Sequence, residues 1–384
     1  MNPINLVKDT LDNKDIDNLI GWLENYPRLT KGDRTVEFEN LWSEWLGTKF
    51  SVYVNSGSSA NLAAIYSLIL SGKLKNKKII VPAVSWVTTV SPAIQLGLEP
   101  IMCDCDPDNL GLNVDHLKKL IEEHNPSLLI LVHVLGLPNK MNEITKLCKE
   151  RDILIIEDTC ESIGSTYDGK LLGTMSDLST FSFYFGHHMS TIEGGMVCTD
   201  DEDLYHILLS IRSHGWDRDL PLDKQKQLRE KYGVTDFRAL YNFYYPGFNL
   251  RSTDLQAFLG INQMQKLDNI IHTREKNYGR YKSNLESLSW LPQEPKNSYV
   301  SNFAFPIISE KLNIIVTTLN DNQVECRPLI CGSINEHPFW YERYGELYLP
   351  NAHKVHKNGM YLPNHQNMDF DDVDKISELI LKVI

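Results

Sequence analysis

The sequence predicts an α/β protein built on a parallel sheet with helices on both faces. Apolar runs of strand length recur: KKIIVP from Lys77 to Pro82, PIMCDCD from Pro100, LLILVHV from Leu128, ILIIED from Ile153 and TFSFYF from Thr180. Amphipathic stretches of helical period lie between them, among them Asn113 to Glu123 and Asn142 to Arg151. Near-continuous apolar runs mark strands buried on both faces. Strand and helix in alternation give crossover units, and ligands of such sheets sit beyond the carboxyl ends of the strands.

The remaining segments follow in order. NSGSSAN, Asn55 to Asn61, precedes a helical pattern from Leu62 to Leu70. The highly charged stretch Asp217 to Val234 reads as a mobile surface loop. After about Arg251 the alternation stops, and one long helical stretch runs through Gln256, Met264 and Tyr278. A smaller mixed segment ends in a short amphipathic helix, Asp371 to Ile384. This change of pattern predicts a large unit over residues 1–250 and a small C-terminal α+β unit over 251–384. The length of 384 residues fits roughly two or three packing units.

Composition excludes several classes. A net charge of −12 argues against nucleic acid, which needs a basic surface. No apolar run reaches the length of a membrane span. The opening MNPINLVKDTLDNKD lacks the charged-then-apolar order of a secretion signal. The seven cysteines are scattered without framework spacing and read as reduced thiols of a cytoplasmic protein.

Candidate chemistry gathers at the predicted strand ends. In NSGSSAN, small hydroxyl residues and Gly57 before a helix leave N–H groups free for an anion; the same pattern also suits an ordinary N-cap. Asp158 closes ILIIED, where a carboxylate holds a cationic ring nitrogen or caps a helix. Trp86 in VPAVSW offers a face for a flat ring or packs in the core. Ser182 adds a hydroxyl shortly before the pair His187-His188. Adjacent residues on a strand face opposite ways, so a shared metal on the pair is not expected, and no other ligand cluster supports a metal.

The ordered motifs NSGSSAN, VPAVSW, IIEDTCES, FSFYFGHH…EGGM and GFNLRSTDLQA resemble the pyridoxal-phosphate-dependent sugar aminotransferase and dehydratase family. The resemblance runs from LTKG at Leu29 to LPNHQ at Leu362. It implies an aspartate-aminotransferase-like fold, with a mainly parallel seven-stranded sheet and a small C-terminal domain, working as a homodimer with shared active sites. It implies pyridoxal or pyridoxamine 5'-phosphate as cofactor, with Gly57, Ser58 and Ser182 on its phosphate. Asn249 would reach the phosphate of the neighbouring subunit's cofactor. Trp86 would stack on the ring, Asp158 would pair with the ring nitrogen, and Glu161 would face the cofactor where aminotransferases of the family often carry glutamine. His214, in HGWDR, and Arg327, in ECRP, would contact substrate, although either also reads as an ordinary surface residue.

One position departs from the aminotransferase pattern. The family lysine lies six residues before the glutamate of the G-E-G-G turn, and six before Glu193 stands His187. Imidazole forms no stable imine with an aldehyde but moves protons near neutral pH. This substitution resembles the 3-dehydratase branch of the family. The branch implies removal of the C3 hydroxyl of a nucleotide-linked 4-keto-6-deoxy sugar, GDP-4-keto-6-deoxymannose in the nearest case, with L-glutamate as amino donor and His187 as base. An iron–sulfur variant of that chemistry is not expected, because Cys103, Cys105, Cys326 and Cys331 lack cluster spacing. A nucleotide-sugar aminotransferase and a catalytically silent sugar-nucleotide-binding homologue are the alternatives.

Overall fold

The computed structural model describes residues 3–384. Its centre is a seven-stranded sheet made from β1 (Phe50–Val54), β2 (Lys78–Pro82), β3 (Glu99–Cys103), β4 (Leu128–Val132), β5 (Leu154–Asp158), β8 (Leu178–Ser182) and β9 (Gly195–Thr199). The short strands β6 (Thr166–Tyr167) and β7 (Lys170–Leu171) intervene and pair with each other outside it. The sheet order is β1-β9-β8-β5-β4-β2-β3. All pairings from β3 to β8 are parallel, whereas β9 runs antiparallel to both neighbours, β8 and β1. The mainly parallel sheet expected from the apolar runs is therefore present.

Burial explains the run pattern. Ile79, Val81, Ile130 and Ile156 join one apolar cluster, while Ile80, Leu129, Leu131 and Ile155 join another on the opposite face. Successive side chains point to opposite faces of a strand, and both faces here are covered. Each such side chain contributes about 1.5–3 kcal/mol by leaving water. Helices Val114–His124 and Met141–Glu150 fall within a residue of their predicted spans.

Two expectations are corrected. The charged stretch Asp217 to Val234 is not a loop throughout: Leu222–Tyr232 is a helix, ended by Gly233 at φ 62. It buries no residue, so no apolar stripe betrays it in the sequence. Arg229 anchors it through a 2.8 Å bond to the fully buried carboxylate of Asp217. The long stretch after Arg251 is two helices, Asp254–Met264 and Leu267–Asn284. Lys266 sits in the break and bonds Thr10 O and Asp12 at 2.8 Å and Asp15 at 2.5 Å, tying the turn to the N-terminal segment.

Asp254–Met264 packs on helix Asp33–Leu46, whereas Leu267–Asn284 packs on the last helix, Phe370–Leu381. A short strand β10 (Ser298–Tyr299) joins β6 and β7. The C-terminal segment forms its own antiparallel sheet from β11 (Phe305–Ile308), β12 (Arg327–Pro328) and β13 (Gly359–Leu362), with β13 central. All seven cysteines are free thiols. No helix among the described residues is long and apolar enough to cross a membrane.

Candidate active site

A cavity of about 410 Å³ opens where β1, β4, β5 and β8 end, and residues just beyond those ends line it. Its wall includes Gly57, Ser58, Trp86, Asp158, Glu161, Ser182 and His187. Seven residues singled out from the sequence thus meet in one place.

One wall of the cavity is the N-terminus of helix Gly57–Ser71. Ser56 is its N-cap and accepts from Ser59 N at 3.1 Å. The N-cap reading of NSGSSAN holds for Ser56, while Gly57 and Ser58 line the cavity. Ser58 Oγ donates to Thr88 Oγ1 at 3.1 Å. Gly57 sits where no side chain fits. A Cβ there would lie 2.6 Å from Ser182 Cβ and 3.1 Å from Cys160 Sγ. Gly57→Ala is expected to lower the Tm, because such overpacking costs typically about 1–3 kcal/mol. An unchanged Tm in thermal unfolding would show that the gap readily widens.

Asp158 forms the floor. It is 3% exposed, and three donors face it: Asn61 Nδ2 at 2.8 Å, Thr89 Oγ1 at 2.7 Å and Cys160 N at 3.2 Å. Thr180 Oγ1 donates to Asn61 Oδ1 at 2.7 Å and so fixes which way the amide points. All three of these partners donate, and the carboxylate accepts from each. It is not a helix cap. Trp86 precedes helix Val87–Gln95 and is 54% exposed. Its indole is thus available to the cavity and not committed to the core.

Glu161 is buried and accepts from Leu135 N at 2.9 Å. Burial pushes its carboxyl up to about 8; the Leu135 N–H opposes this and the Asp158 charge adds to it. At neutral pH it is mostly protonated and can donate a hydrogen bond, as the amide of a glutamine does.

His187 does not lie on a strand. The run TFSFYF holds its strand only to Ser182, and the histidine pair sits in the turn beyond. His187 N donates to Tyr184 O at 2.9 Å. Its Nδ1 lies 2.7 Å from Cys160 O. A carbonyl only accepts, so this bond assigns the proton to Nδ1 and leaves the Nε2 lone pair free. Burial pushes the imidazole down to about 4, with the Arg274 charge acting the same way and the Cys160 bond opposing. The ring is neutral across the physiological range. His188 turns away instead: its Nε2 lies 3.0 Å from Ser301 O, and its Nδ1 has no partner. Among the described residues no group of three His, Cys, Asp or Glu side chains is placed to hold a metal.

Three residues named from the sequence lie outside this cavity. Asn249 is exposed and accepts from Arg251 Nε at 3.1 Å, while Arg251 Nη2 lies 3.4 Å from His214 Nε2. Asn249 and His214 thus share one surface cluster. Arg327 pairs with Glu325 at 2.6 Å and stands opposite Tyr361, a residue of the cavity wall. Other contributors escaped the sequence reading. Asn61 and Thr89 lie within or just after quoted motifs, but nothing local says that they bond Asp158. Phe303 and Tyr361 reach the wall from the C-terminal segment, which only folding brings there.

These residues fit pyridoxal phosphate: a side-chain-free gap beside two serines, an exposed indole, and a buried carboxylate held by donors. A profile of the DegT/DnrJ/EryC1/StrS aminotransferase family matches residues 10–381. The chain belongs to this family. Two relatives within it are named GDP-4-keto-6-deoxy-D-mannose 3-dehydratase. The one from Yersinia pseudotuberculosis is 37% identical over 94% of both chains. The one from Escherichia coli O55:H7 is 35% identical over 91% of this chain and 92% of its own. A crystal structure of GDP-4-keto-6-deoxymannose-3-dehydratase with a trapped PLP-glutamate geminal diamine superposes with a TM-score of 0.90 at 33% identity. It covers 98% of this chain and 100% of that one. Family membership accounts for the mainly parallel seven-stranded sheet and for the order of the motifs along the chain.

Proposed function

We propose that this chain is a pyridoxal-phosphate-dependent 3-dehydratase of a nucleotide-linked 4-keto-6-deoxy sugar. GDP-4-keto-6-deoxymannose is the first substrate to test and L-glutamate the amino donor. The observation that carries the reading is His187: the cavity wall holds a neutral imidazole with a free Nε2, and no lysine lines it among the described residues. That last fact disfavours an aminotransferase, which needs the amine. The intact donor set around Asp158 disfavours a silent binding protein.

Bound as pyridoxamine 5'-phosphate, the cofactor supplies an amine for the C4 ketone and a ring that takes up electrons. Gly57, Ser58 and Ser182 hold its phosphate at the helix N-terminus. Trp86 covers one ring face, and Asp158 pairs with the protonated ring nitrogen. Glu161, protonated, donates to the cofactor rim. His187 would accept at Nε2 the proton whose removal permits departure of the C3 hydroxyl. The net outcome is replacement of the C3 hydroxyl by hydrogen, with glutamate oxidised to 2-oxoglutarate and its nitrogen released as ammonia. Asn249 serves the neighbouring subunit's cofactor in a homodimer. His214 and Arg327 meet the substrate. The free cysteines suit a cytoplasmic setting.

The test is incubation with pyridoxal phosphate, glutamate and a panel of nucleotide-linked 4-keto-6-deoxy sugars. Mass spectrometry is expected to report a 3-deoxy product, with ammonia released in step. Nitrogen retained on a sugar that keeps its C3 hydroxyl would assign the chain to the aminotransferases. No turnover of any sugar would favour the silent homologue.

A further inference from the structure

Arg274, on helix Leu267–Asn284, is 1% exposed, and its guanidinium bonds only carbonyl oxygens. Nη1 donates to Phe303 O at 2.8 Å and to Asn364 O, and Nη2 reaches His187 O at 3.5 Å. No carboxylate among the described residues forms an ion pair with it, and its Nε has no partner. A buried cation without a counter-charge is costly. Burial lowers its pKa only to about 9, so the charge persists at neutral pH.

That charge sits among three imidazoles, of which His188 and His365 are buried and His187 is partly exposed to the cavity. It pushes His187, His188 and His365 in the same direction, toward the neutral form. The Phe303 ring, 5.9 Å from the guanidinium carbon, also lies 5.1 Å from the His187 ring and 6.3 Å from that of His188. The brace continues through Asn364 Nδ2, which donates to Arg274 O at 3.0 Å and to Asn302 O at 3.1 Å. Asn302 Nδ2 donates to Leu135 O at 2.7 Å, and Leu135 N is the donor to Glu161. One connected network therefore holds both the turn of His187 and the carboxyl of Glu161.

We propose that Arg274 is a positioning residue for His187: its bonds to the His187 and Phe303 carbonyls fix where Nε2 points, and its guanidinium is an unpaired buried charge beside that ring. This rests on the reading of His187 as the base. Asp158, Cys160 and Glu161 line the same cavity from the end of β5 and the segment after it, and the Cys160 carbonyl acts against Arg274. Tyr184, His188 and Glu193 flank it on its own turn, and Tyr361 and His365 approach from the C-terminal segment. Arg274 is the permanent cation in this set.

The experiment follows the ring nitrogens of ¹⁵N-histidine-labelled holoenzyme by NMR as pH falls, with His187 assigned through His187→Asn. Wild-type His187 is expected to titrate far below the ordinary 6.5. Arg274→Met, which removes the charge at similar volume, is expected to raise that midpoint and to move the acid limb of kcat/KM to higher pH by the same amount. Arg274→Lys is expected to keep the midpoint low yet lower kcat by roughly tenfold or more with little change in KM, since a misplacement of about 1 Å costs up to roughly 10²-fold. A wild-type midpoint at the ordinary value overturns the proposal without any variant, so failure of Arg274→Met to fold does not leave it open. An unmoved midpoint in Arg274→Met, or a native kcat in Arg274→Lys, overturns it too. The NMR midpoint is independent of turnover, so a native rate in His187→Asn would sink the assignment of the base separately.

Discussion

His187→Asn is expected to lose about 10²–10⁴-fold in dehydration rate, the usual worth of a positioned acid–base group. Asparagine keeps a polar side chain near Cys160 O but offers no ring-nitrogen lone pair to take up a proton. Cofactor retention is expected to survive, because the proposed phosphate and ring contacts come from Gly57, Ser58, Ser182, Asp158 and Trp86. His187→Lys probes the same position differently. It places a primary amine in the cavity, so a protein-bound chromophore that resists dialysis is expected, together with suppressed loss of the C3 hydroxyl. Wild-type protein treated with borohydride and cofactor is expected to yield no modified peptide from Phe183 to Met196. A native rate in His187→Asn alongside a lost rate in His188→Asn would move the base to the other histidine. The geometry opposes that outcome, since His188 faces Ser301 O in the interior.

Asp158→Asn is the second large effect. The carboxylate accepts three hydrogen bonds from donors inside the protein. An amide replaces one acceptor oxygen with a donor, so it faces at least one of those donors head on. Bonds to charged groups contribute about 1.5–3 kcal/mol, and some stability is expected to be lost on that account. The loss in turnover is expected to be larger by comparison, because in the proposed role a neutral partner no longer holds the ring nitrogen protonated. Cofactor affinity is expected to fall with it. Steady-state kinetics beside a denaturant melt separate the two. Turnover that falls only as far as the folded fraction falls would reduce Asp158 to a structural carboxylate.

The sequence by itself determined a good deal of this protein. Period-two burial on both faces made the strands from Lys78 to Asp158 legible as near-continuous apolar runs. The family motifs, read in order, placed Gly57, Trp86, Asp158, Glu161, Ser182 and His187 in one site. A count of six from Glu193 exposed the histidine that stands in place of a lysine. Local pattern failed where stability comes from distant contacts. Helix Leu222–Tyr232 has no buried face, so its charged residues read as loop. The break at Lys266 depends on Thr10, Asp12 and Asp15, more than two hundred residues earlier. Only the tertiary structure decided that Cys160 O fixes the Nδ1 proton of His187, that Leu135 and burial set the state of Glu161, and that Arg274 lies unpaired beside three imidazoles. Each is a matter of desolvation and of hydrogen bonds between segments far apart in the chain, and neither burial nor a long-range partner is a property of residues read one after another.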